Sequence, residues 1–193
     1  MAAALPDMVE WLVALVLGAV QGLLEWLPVS SEGAITLALT ALDAGSRAAT
    51  QLALSLHAGT AVAAAVYYRS ELVAILADLP AWRPGSAFDA DTADLSFFAV
   101  ATLASGGVGF AGYLALAEVA SAVAGGAFVA LIGALLVATG AFMRVAESRA
   151  REVRETPDLL DALLVGVLQG IAVLPGVSRS GTTVSALLLR GHD

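Results

Sequence analysis

The chain has 193 residues, of which 59% are hydrophobic and only 13% are charged. This composition and a mean hydropathy of +0.87 exclude an ordinary soluble domain and predict an integral membrane protein. The net charge of −8 comes mostly from acids in predicted loops, which we interpret as a solvated face, and without Cys and with two His the sequence excludes thiolate and His-rich metal sites.

Seven apolar segments follow one another along the chain. Five of them are close to the roughly 20 residues that a helix needs to cross a bilayer, and two are too short. The five lie at about 8–29, 51–68, 95–117, 123–143 and 159–177, and the short ones at about 34–42 and 182–189. We therefore predict an all-α integral membrane protein, a polytopic helix bundle that forms one membrane domain over residues 1–193. Residues 1–7 lack the basic stretch of a cleavable signal peptide, so we expect the first segment to be retained.

A polar motif lies in the first apolar segment and is repeated near the end of the chain. Its copies span residues 21–33 and 169–181. The residues they share at the same spacing include Gln21, Ser30 and Gly33 in the first copy and Gln169, Ser178 and Gly181 in the second. An internal duplication explains this match. Apolar segments that are broken by Gly and Pro in corresponding positions of two halves indicate a binding site built from discontinuous helices.

The positions of the arginines predict the topology. Cytoplasmic loops carry an excess of basic residues, and arginines concentrate in two predicted loops, at about 69–94 and 144–158. Two predicted spans separate these loops, which places both on the same side. A broken hairpin over 8–42 then enters from outside and one over 159–190 enters from the cytoplasm, since a full crossing by 8–27 would leave 34–42 too short to span. The two copies therefore have opposite orientation.

This topology predicts two inverted repeats, each with a broken re-entrant helix hairpin. Repeat 1 covers about 8–118, and repeat 2 begins at about 123 and is incomplete at the C-terminus.

The motif residues predict an anion-binding cavity. Broken backbone at membrane depth persists only where protein or a water-filled cavity satisfies it. A second helix is expected to begin near Gly33 and near Gly181, and helix N-termini bind anions. Hydroxyl groups converge there from Ser30, Ser31, Ser178, Ser180, Thr182 and Thr183. Arg179 should pair with Glu25 or with an anion such as phosphate, because a guanidinium at depth costs about 2.5–3.5 kcal/mol on insertion scales.

Three further kinds of residue are expected to have structural roles, namely glycines, aromatic residues and a histidine. Glycines scattered through the apolar segments are expected to serve close helix packing, and they include Gly106, Gly107, Gly125, Gly126 and Gly133. The aromatic residues Trp11, Trp26, Trp82, Tyr67 and Tyr68 are interpreted as interfacial anchors. His57 is expected to be a satisfied interior residue rather than an acid or base.

Residues 21–33 and 174–183 resemble the two signature regions of the undecaprenyl-diphosphate phosphatase family of the bacitracin-resistance type, and residues 56–60 are similar to a third family segment. The chain is similar to an archaeal-like member that is truncated at the C-terminus. The resemblance implies a multi-pass protein of the plasma membrane that removes the terminal phosphate of a polyprenyl diphosphate and recycles the lipid carrier monophosphate.

The resemblance also implies roles for individual residues. Glu25 matches the acidic residue of the first motif and is a ligand for a divalent cation, Mg²⁺ or Ca²⁺. Ser31 matches a nucleophile or phosphate ligand, and Arg179 matches the arginine that binds the diphosphate. The substrate-binding set is Gln21, Ser30, Ser178, Ser180, Gly181 and Thr182.

One departure from the family pattern affects proton transfer. Where the family reads Ser-Gly-His, this chain reads Glu32-Gly33-Ala34, so the expected histidine is absent. Either another group does its work or the activity is altered, and Glu32 is our candidate for the general base. The predicted catalytic set is therefore Glu25, Ser31, Glu32 and Arg179.

A second class of function remains open. The same scaffold could serve a non-catalytic polyprenyl-phosphate translocator or lipid-phosphate binding protein, as inverted repeats do in transporters. A translocator would move the lipid without releasing phosphate. The expected partners are the polyprenyl diphosphate, membrane lipids and a second copy in a homodimer, and nucleic-acid binding finds no support.

Overall fold

The computed structural model describes residues 8–42, 45–89, 91–122, 126–149 and 154–192. The helices in these ranges are α1 (Met8–Leu24), α2 (Ser31–Ala41), α3 (Ser46–Tyr67), α4 (Arg69–Ala77), α5 (Ala93–Ala122), α6 (Gly126–Arg149), α7 (Leu159–Ile171) and α8 (Arg179–Arg190). No β-strand occurs in them, which confirms the all-α prediction. The predictions for residues 1–7, for the start of repeat 2 near 123, for Gly125 and for residues 150–153 of the loop at about 144–158 lie outside these ranges.

Three helices are long and apolar enough to cross a membrane. They are α3, α5 over Ala93–Leu116, and α6. Large apolar side chains on them are exposed, as at Leu103 of α5 and Val137 of α6. An apolar surface of this kind suits contact with lipid, so the helices fit a membrane protein as the composition predicts.

The first apolar segment contains a helix break. α1 ends at Leu24, and the chain turns before α2 begins at Ser31. Ser30 caps α2, because its side-chain Oγ accepts the backbone N–H of Gly33 at 3.1 Å. A serine in this position satisfies one of the N–H groups that have no partner at a helix start. α2 therefore begins at Ser31, two residues before Gly33, near which the sequence analysis expected a helix to begin.

The last apolar segments repeat this arrangement. α7 ends at Ile171 and α8 begins at Arg179, with Ser178 as its cap. Ser178 Oγ accepts the N–H of Gly181 at 3.1 Å. Between the helices, Gly176 has a φ of +104°, a left-handed conformation that favours glycine.

The predicted loop between 69 and 94 contains a helix. α4 follows α3 after a break at Tyr68 and runs to Ala77. Its residues include neither Gly nor Pro, so nothing in that stretch opposes helix formation. A 3-10 turn at Pro84–Ser86 precedes α5.

Close packing joins α7 to α5. A Cβ atom at Gly166 would lie 2.7 Å from the backbone oxygen of Ala101, and one at Gly170 would lie 2.6 Å from Val108 Cβ. Only glycine allows helices to approach this closely.

The described glycines that were expected to pack have no such contact. Among the described residues, nothing lies within 4 Å of a Cβ placed at Gly106, Gly107, Gly126 or Gly133. For these four the expectation was wrong, because they lie on helix faces that no described residue covers.

A cluster of ion pairs joins the start of α7 to the end of α8. Asp161 is fully buried and accepts Arg190 Nε at 2.6 Å, while Asp158 accepts Arg190 Nη2 at 2.8 Å. Arg154 Nη2 donates to Asp158 at 2.7 Å, and His192 Nε2 lies 3.0 Å from Asp161. The entry of α7 and the exit of α8 are therefore held side by side.

Candidate active site

The two motif copies contact each other. Ser30 Oγ also accepts the backbone N–H of Gly176, at 3.0 Å. Ser180 Oγ donates to the carbonyl of Leu27 at 2.8 Å. A Cβ on Gly33 would lie 2.9 Å from the Gly176 nitrogen, so the two turns pack backbone against backbone.

The carboxylate of Glu25 is the centre of the polar contacts. Its Oε2 accepts Gln21 Nε2 at 2.9 Å and the Ser31 hydroxyl at 2.8 Å. Its Oε1 accepts Arg179 Nη1 at 3.2 Å, and His57 Nε2 lies 3.4 Å from Oε2. An acid from the first copy thus pairs with a base from the second, one of the two partners that the sequence analysis allowed for Arg179.

A small cavity lies beside this carboxylate. Its volume is about 10 Å³, room for one water molecule or an ion of similar size. Glu25, Ser31, Glu32 and Arg179 are among its lining residues. Glu32 is 3% exposed, and neither of its carboxylate oxygens has a hydrogen-bond partner in the part of the chain that the structure describes.

A larger cavity of about 340 Å³ adjoins the same residues. Its polar lining consists of Glu25, His57, Thr60, Gln169, Arg179, Ser180 and Thr183, and its other walls are Trp26, Ala61 and Ala64. Trp26 also lines a third cavity of about 450 Å³, whose other walls are Ala63, Tyr67 and Tyr68. The Trp26 and Tyr68 rings are 6.0 Å apart. A cavity with charged and hydroxyl groups in its lining therefore shares the Trp26 wall with an aromatic cavity.

The structure brings part of the predicted set to these cavities. Glu25, Ser30, Ser31, Glu32, Arg179 and Ser180 line at least one of them, and Gln21 contacts Glu25. Ser178, Gly181 and Thr182 lie outside these cavities and are buried in the turn, where Thr182 Oγ1 donates to the Ser178 carbonyl at 2.8 Å. These three residues support the site rather than line it.

Three polar lining residues were missing from the sequence analysis of the site, namely His57, Thr60 and Gln169, whereas Thr183 was among the hydroxyl groups expected there. Gln169 could have been found, because it is the counterpart of Gln21 in the second copy. His57 and Thr60 lie in residues 56–60, the third segment that resembles the family. His57 Nδ1 is 3.1 Å from the Ala53 carbonyl, so the ring is held in place while Nε2 faces Glu25.

The arrangement combines three chemical elements of phosphoryl transfer. A hydroxyl donates to a carboxylate that could take its proton, a guanidinium lies beside them, and a helix N-terminus carries that guanidinium. No group of three His, Cys, Asp or Glu side chains that could hold a metal ion occurs within the described ranges.

Comparisons with known proteins show related sequences over most of the chain. The model of the family "Bacitracin resistance protein BacA" matches residues 14–193. An undecaprenyl-diphosphatase of Haloarcula marismortui is 56% identical over 142 residues, which cover 72% of this chain and 52% of that protein. An undecaprenyl-diphosphatase of Methanococcoides burtonii is 39% identical over a match that covers 72% of this chain and 52% of that protein. One of Geobacter sulfurreducens is 34% identical over a match that covers 72% of this chain and 50% of that protein. The chain thus spans about half the length of the curated relatives it matches, and no solved structure matches it.

Proposed function

The chain belongs to the bacitracin-resistance protein BacA family, and on that premise we propose that it is a phosphatase acting on a polyprenyl diphosphate. It is a multi-pass protein of the plasma membrane. The proposed reaction removes the terminal phosphate of an undecaprenyl-type diphosphate and regenerates the lipid carrier monophosphate. Membrane lipids surround the bundle, and the polyprenyl diphosphate is the substrate.

One observation carries this proposal, namely that Trp26 forms a wall of two cavities, one with charged and hydroxyl groups in its lining and one with aromatic side chains. Arg179, Ser180 and Thr183 line the first cavity, while Tyr67 and Tyr68 line the second. A ligand that fills both must have an anionic head and a long apolar chain. A polyprenyl diphosphate has this chemistry, whereas a free phosphate ester would leave the aromatic cavity empty.

Arg179 and α8 are proposed to hold the diphosphate. The Arg179 Nε–H is buried without a hydrogen-bond partner among the described groups, so it can donate to a phosphate oxygen while Nη1 stays on Glu25. The first N–H groups of a helix have no partner within it. Those at the start of α8 add donors for the same anion.

Ser31 is proposed to be the nucleophile. As its oxygen attacks the terminal phosphorus, Glu25 takes the hydroxyl proton across the 2.8 Å hydrogen bond. A bond forms between Ser31 Oγ and phosphorus, the bond from phosphorus to the bridging oxygen breaks, and the polyprenyl monophosphate leaves. Water then hydrolyses the phosphoserine and releases inorganic phosphate.

A divalent cation, Mg²⁺ or Ca²⁺, fits the oxygen atoms of this site. Gln21 Oε1 and both carboxylate oxygens of Glu32 are buried without a hydrogen-bond partner among the described residues, and oxygen ligands of this type suit both ions. Glu25 would hold the cation together with oxygens of the diphosphate. Bound there, it would neutralise charge on the departing phosphate.

The site is proposed to be built by two inverted repeats with re-entrant hairpins. α1, α2, α7 and α8 have 17, 11, 13 and 12 residues. At about 1.5 Å per residue none of them reaches the roughly 30 Å of a bilayer core. The ion pairs between Arg190 and the start of α7 support a hairpin that enters and leaves on one side.

The extents of the repeats stay as predicted from the sequence. Repeat 1 covers about 8–118 and repeat 2 begins at about 123, within one membrane domain over 1–193. The homodimer stays a prediction that no described contact tests.

Phosphate release from a polyprenyl diphosphate by the purified protein in detergent tests the function. The wild type and S55A should release phosphate at equal rates, because Ser55 is exposed on α3 and donates to the Leu52 carbonyl. S31A should lose activity by about a hundredfold or more. Wild-type protein that moves the lipid between leaflets of a vesicle without releasing phosphate would instead establish a translocator.

A further inference from the structure

The carboxylate of Glu32 is buried without a partner. Glu32 lies in the first turn of α2 and is 3% exposed. Neither oxygen is hydrogen bonded within the described part of the chain. A buried carboxylate is costly unless it is paired or coordinates a cation. The helix N-terminus beside it is equivalent to only about half an elementary charge, so the dipole leaves the carboxylate partly uncompensated.

The charges around the small cavity do not balance. Glu25 and Glu32 contribute two negative charges to its lining, and Arg179 contributes one positive charge. With both carboxylates ionised and His57 neutral, the lining carries one uncompensated negative charge beside a space that has room for one small ion.

The available ligand atoms are oxygens, which are the ligands that a hard cation prefers. Both Glu32 oxygens are unoccupied, and Glu25 Oε1 accepts a single hydrogen bond, from Arg179. The Ser31 hydroxyl donates its proton to Glu25, which leaves its lone pairs free to bind an ion. Carboxylate and hydroxyl oxygens select Mg²⁺, Ca²⁺ or Mn²⁺ over softer metals.

We propose that Glu32 joins Glu25 as a second carboxylate ligand of the divalent cation that the family resemblance implies, with the ion in the small cavity and Ser31 as a further ligand. The inference deepens the proposed function and rests on it in one respect, since diphosphate oxygens would complete the coordination. It assigns Glu32 to cation binding rather than to proton transfer. Glu32 stands where the family pattern has serine, so this chain carries a second carboxylate at the site.

Binding of Mn²⁺ followed by electron paramagnetic resonance tests the proposal without substrate. The free ion gives a sharp signal that is lost on binding, so titration of the purified protein yields a stoichiometry and an affinity. We expect one Mn²⁺ for the wild type, displaced by Mg²⁺, and an affinity at least tenfold lower for E32Q. E71Q is the matched control, because Glu71 is on α4 and its carboxylate accepts the Ser70 hydroxyl on an exposed surface.

Thermal unfolding gives a second readout on the same samples. Mn²⁺ should raise the melting temperature of the wild type and of E71Q but not that of E32Q, because a ligand stabilises the fold that binds it. If E32Q does not fold, E32D serves instead, since it retains the charge but withdraws the oxygens by one carbon, and it too should bind Mn²⁺ at least tenfold more weakly.

Two results would overturn the proposal. Wild-type protein that binds no Mn²⁺ has no such site, and a glutamine or aspartate variant that binds as tightly as the wild type shows that Glu32 is not a ligand. Phosphate release measured beside the titration separates this outcome from the proposed function. Binding without release leaves the cation site standing and removes the phosphatase, whereas release without binding does the reverse.

Discussion

Residues 21–33 and 169–181 build the same local structure from different chemistry. In each copy a serine caps a helix by accepting the N–H of the glycine three residues later, at 3.1 Å in both cases. The first copy carries the acid Glu25, where the second has Val173, and the second carries the base Arg179, where the first has Ser31. The shared residues set the backbone, and the unshared ones meet across the contact and form the site. Neither copy alone holds both charges.

The largest effect is expected from removing the positive half of that pair. R179A should lower the rate of phosphate release by about a hundred- to a thousandfold, because it removes a donor to charge that develops on the phosphate. R83A should leave the rate unchanged, since Arg83 is exposed and donates to the Pro80 and Trp82 carbonyls. A mutant with near wild-type activity would mean that the second copy contributes structure only.

The matched glycines should respond unequally to a methyl group. A Cβ at Gly33 would lie 2.9 Å from the nitrogen and 3.1 Å from the Cα of Gly176, whereas one at Gly181 would lie 2.6 Å from the sulfur of Met143. Backbone cannot yield as a Met side chain can. G33A should therefore lower the free energy of unfolding by about 2–3 kcal/mol and G181A by about 1 kcal/mol. Denaturation in detergent measures both, and equal losses would refute the asymmetry.

The two caps should also differ in strength. S178A should lower the free energy of unfolding by about 1 kcal/mol, the usual cost of losing a cap. S30A should cost about 2 kcal/mol, because Ser30 Oγ also accepts the Gly176 N–H and its loss leaves two donors unpaired. Both variants are compared with the wild type by denaturation in detergent, and a larger loss of the free energy of unfolding for S178A than for S30A would contradict the prediction.

The smallest effect concerns the ion pairs that hold the second copy. Partial burial raises the pKa of Asp158, but hydrogen bonds from Arg154 and from the Asp161 N–H outweigh it and hold the pKa below its ordinary value. A carboxylate with a depressed pKa in the folded state stabilises the fold above its unfolded value of about 3.9, and this contribution is lost as the pH falls further.

D158N should therefore lose less stability than the wild type between about pH 5 and pH 3. Asparagine caps a helix as well as aspartate does, so the change isolates the charge. Melting temperatures across that range provide the measurement, with the exposed D89N as the control. Equal acid sensitivity of wild type and D158N would contradict the assignment.

The helix starts and the central ion pair were predictable from the sequence. A serine three residues before a glycine, written twice, locates each helix start to within two residues of its position at Ser31 and Arg179. Charges at membrane depth pair with each other, which made Glu25 a candidate partner of Arg179. Both predictions rest on local spacing or on the scarcity of charge, and neither requires knowledge of the tertiary packing.

The faces of the long helices could not be predicted. α5 is apolar on all sides, so its sequence does not mark the side that meets α7. For that reason Gly106 and Gly107 were assigned to packing, although the contact is made by Gly166 and Gly170 of α7. His57 of α3 was left out of the site for the same reason. Its position depends on how α3 packs against α1 and α2, a tertiary property that helical periodicity does not encode.

The contact between Gly33 and Gly176 has a mechanical consequence. With no side chain between them, the two turns pack backbone against backbone, and this contact fixes the distance between the helix pair α1–α2 and the helix pair α7–α8. A displacement of about 1 Å at reacting groups can cost about a hundredfold in rate. The separation of Ser31 and Glu25 from Arg179 is therefore controlled by a backbone contact that includes none of the reacting side chains.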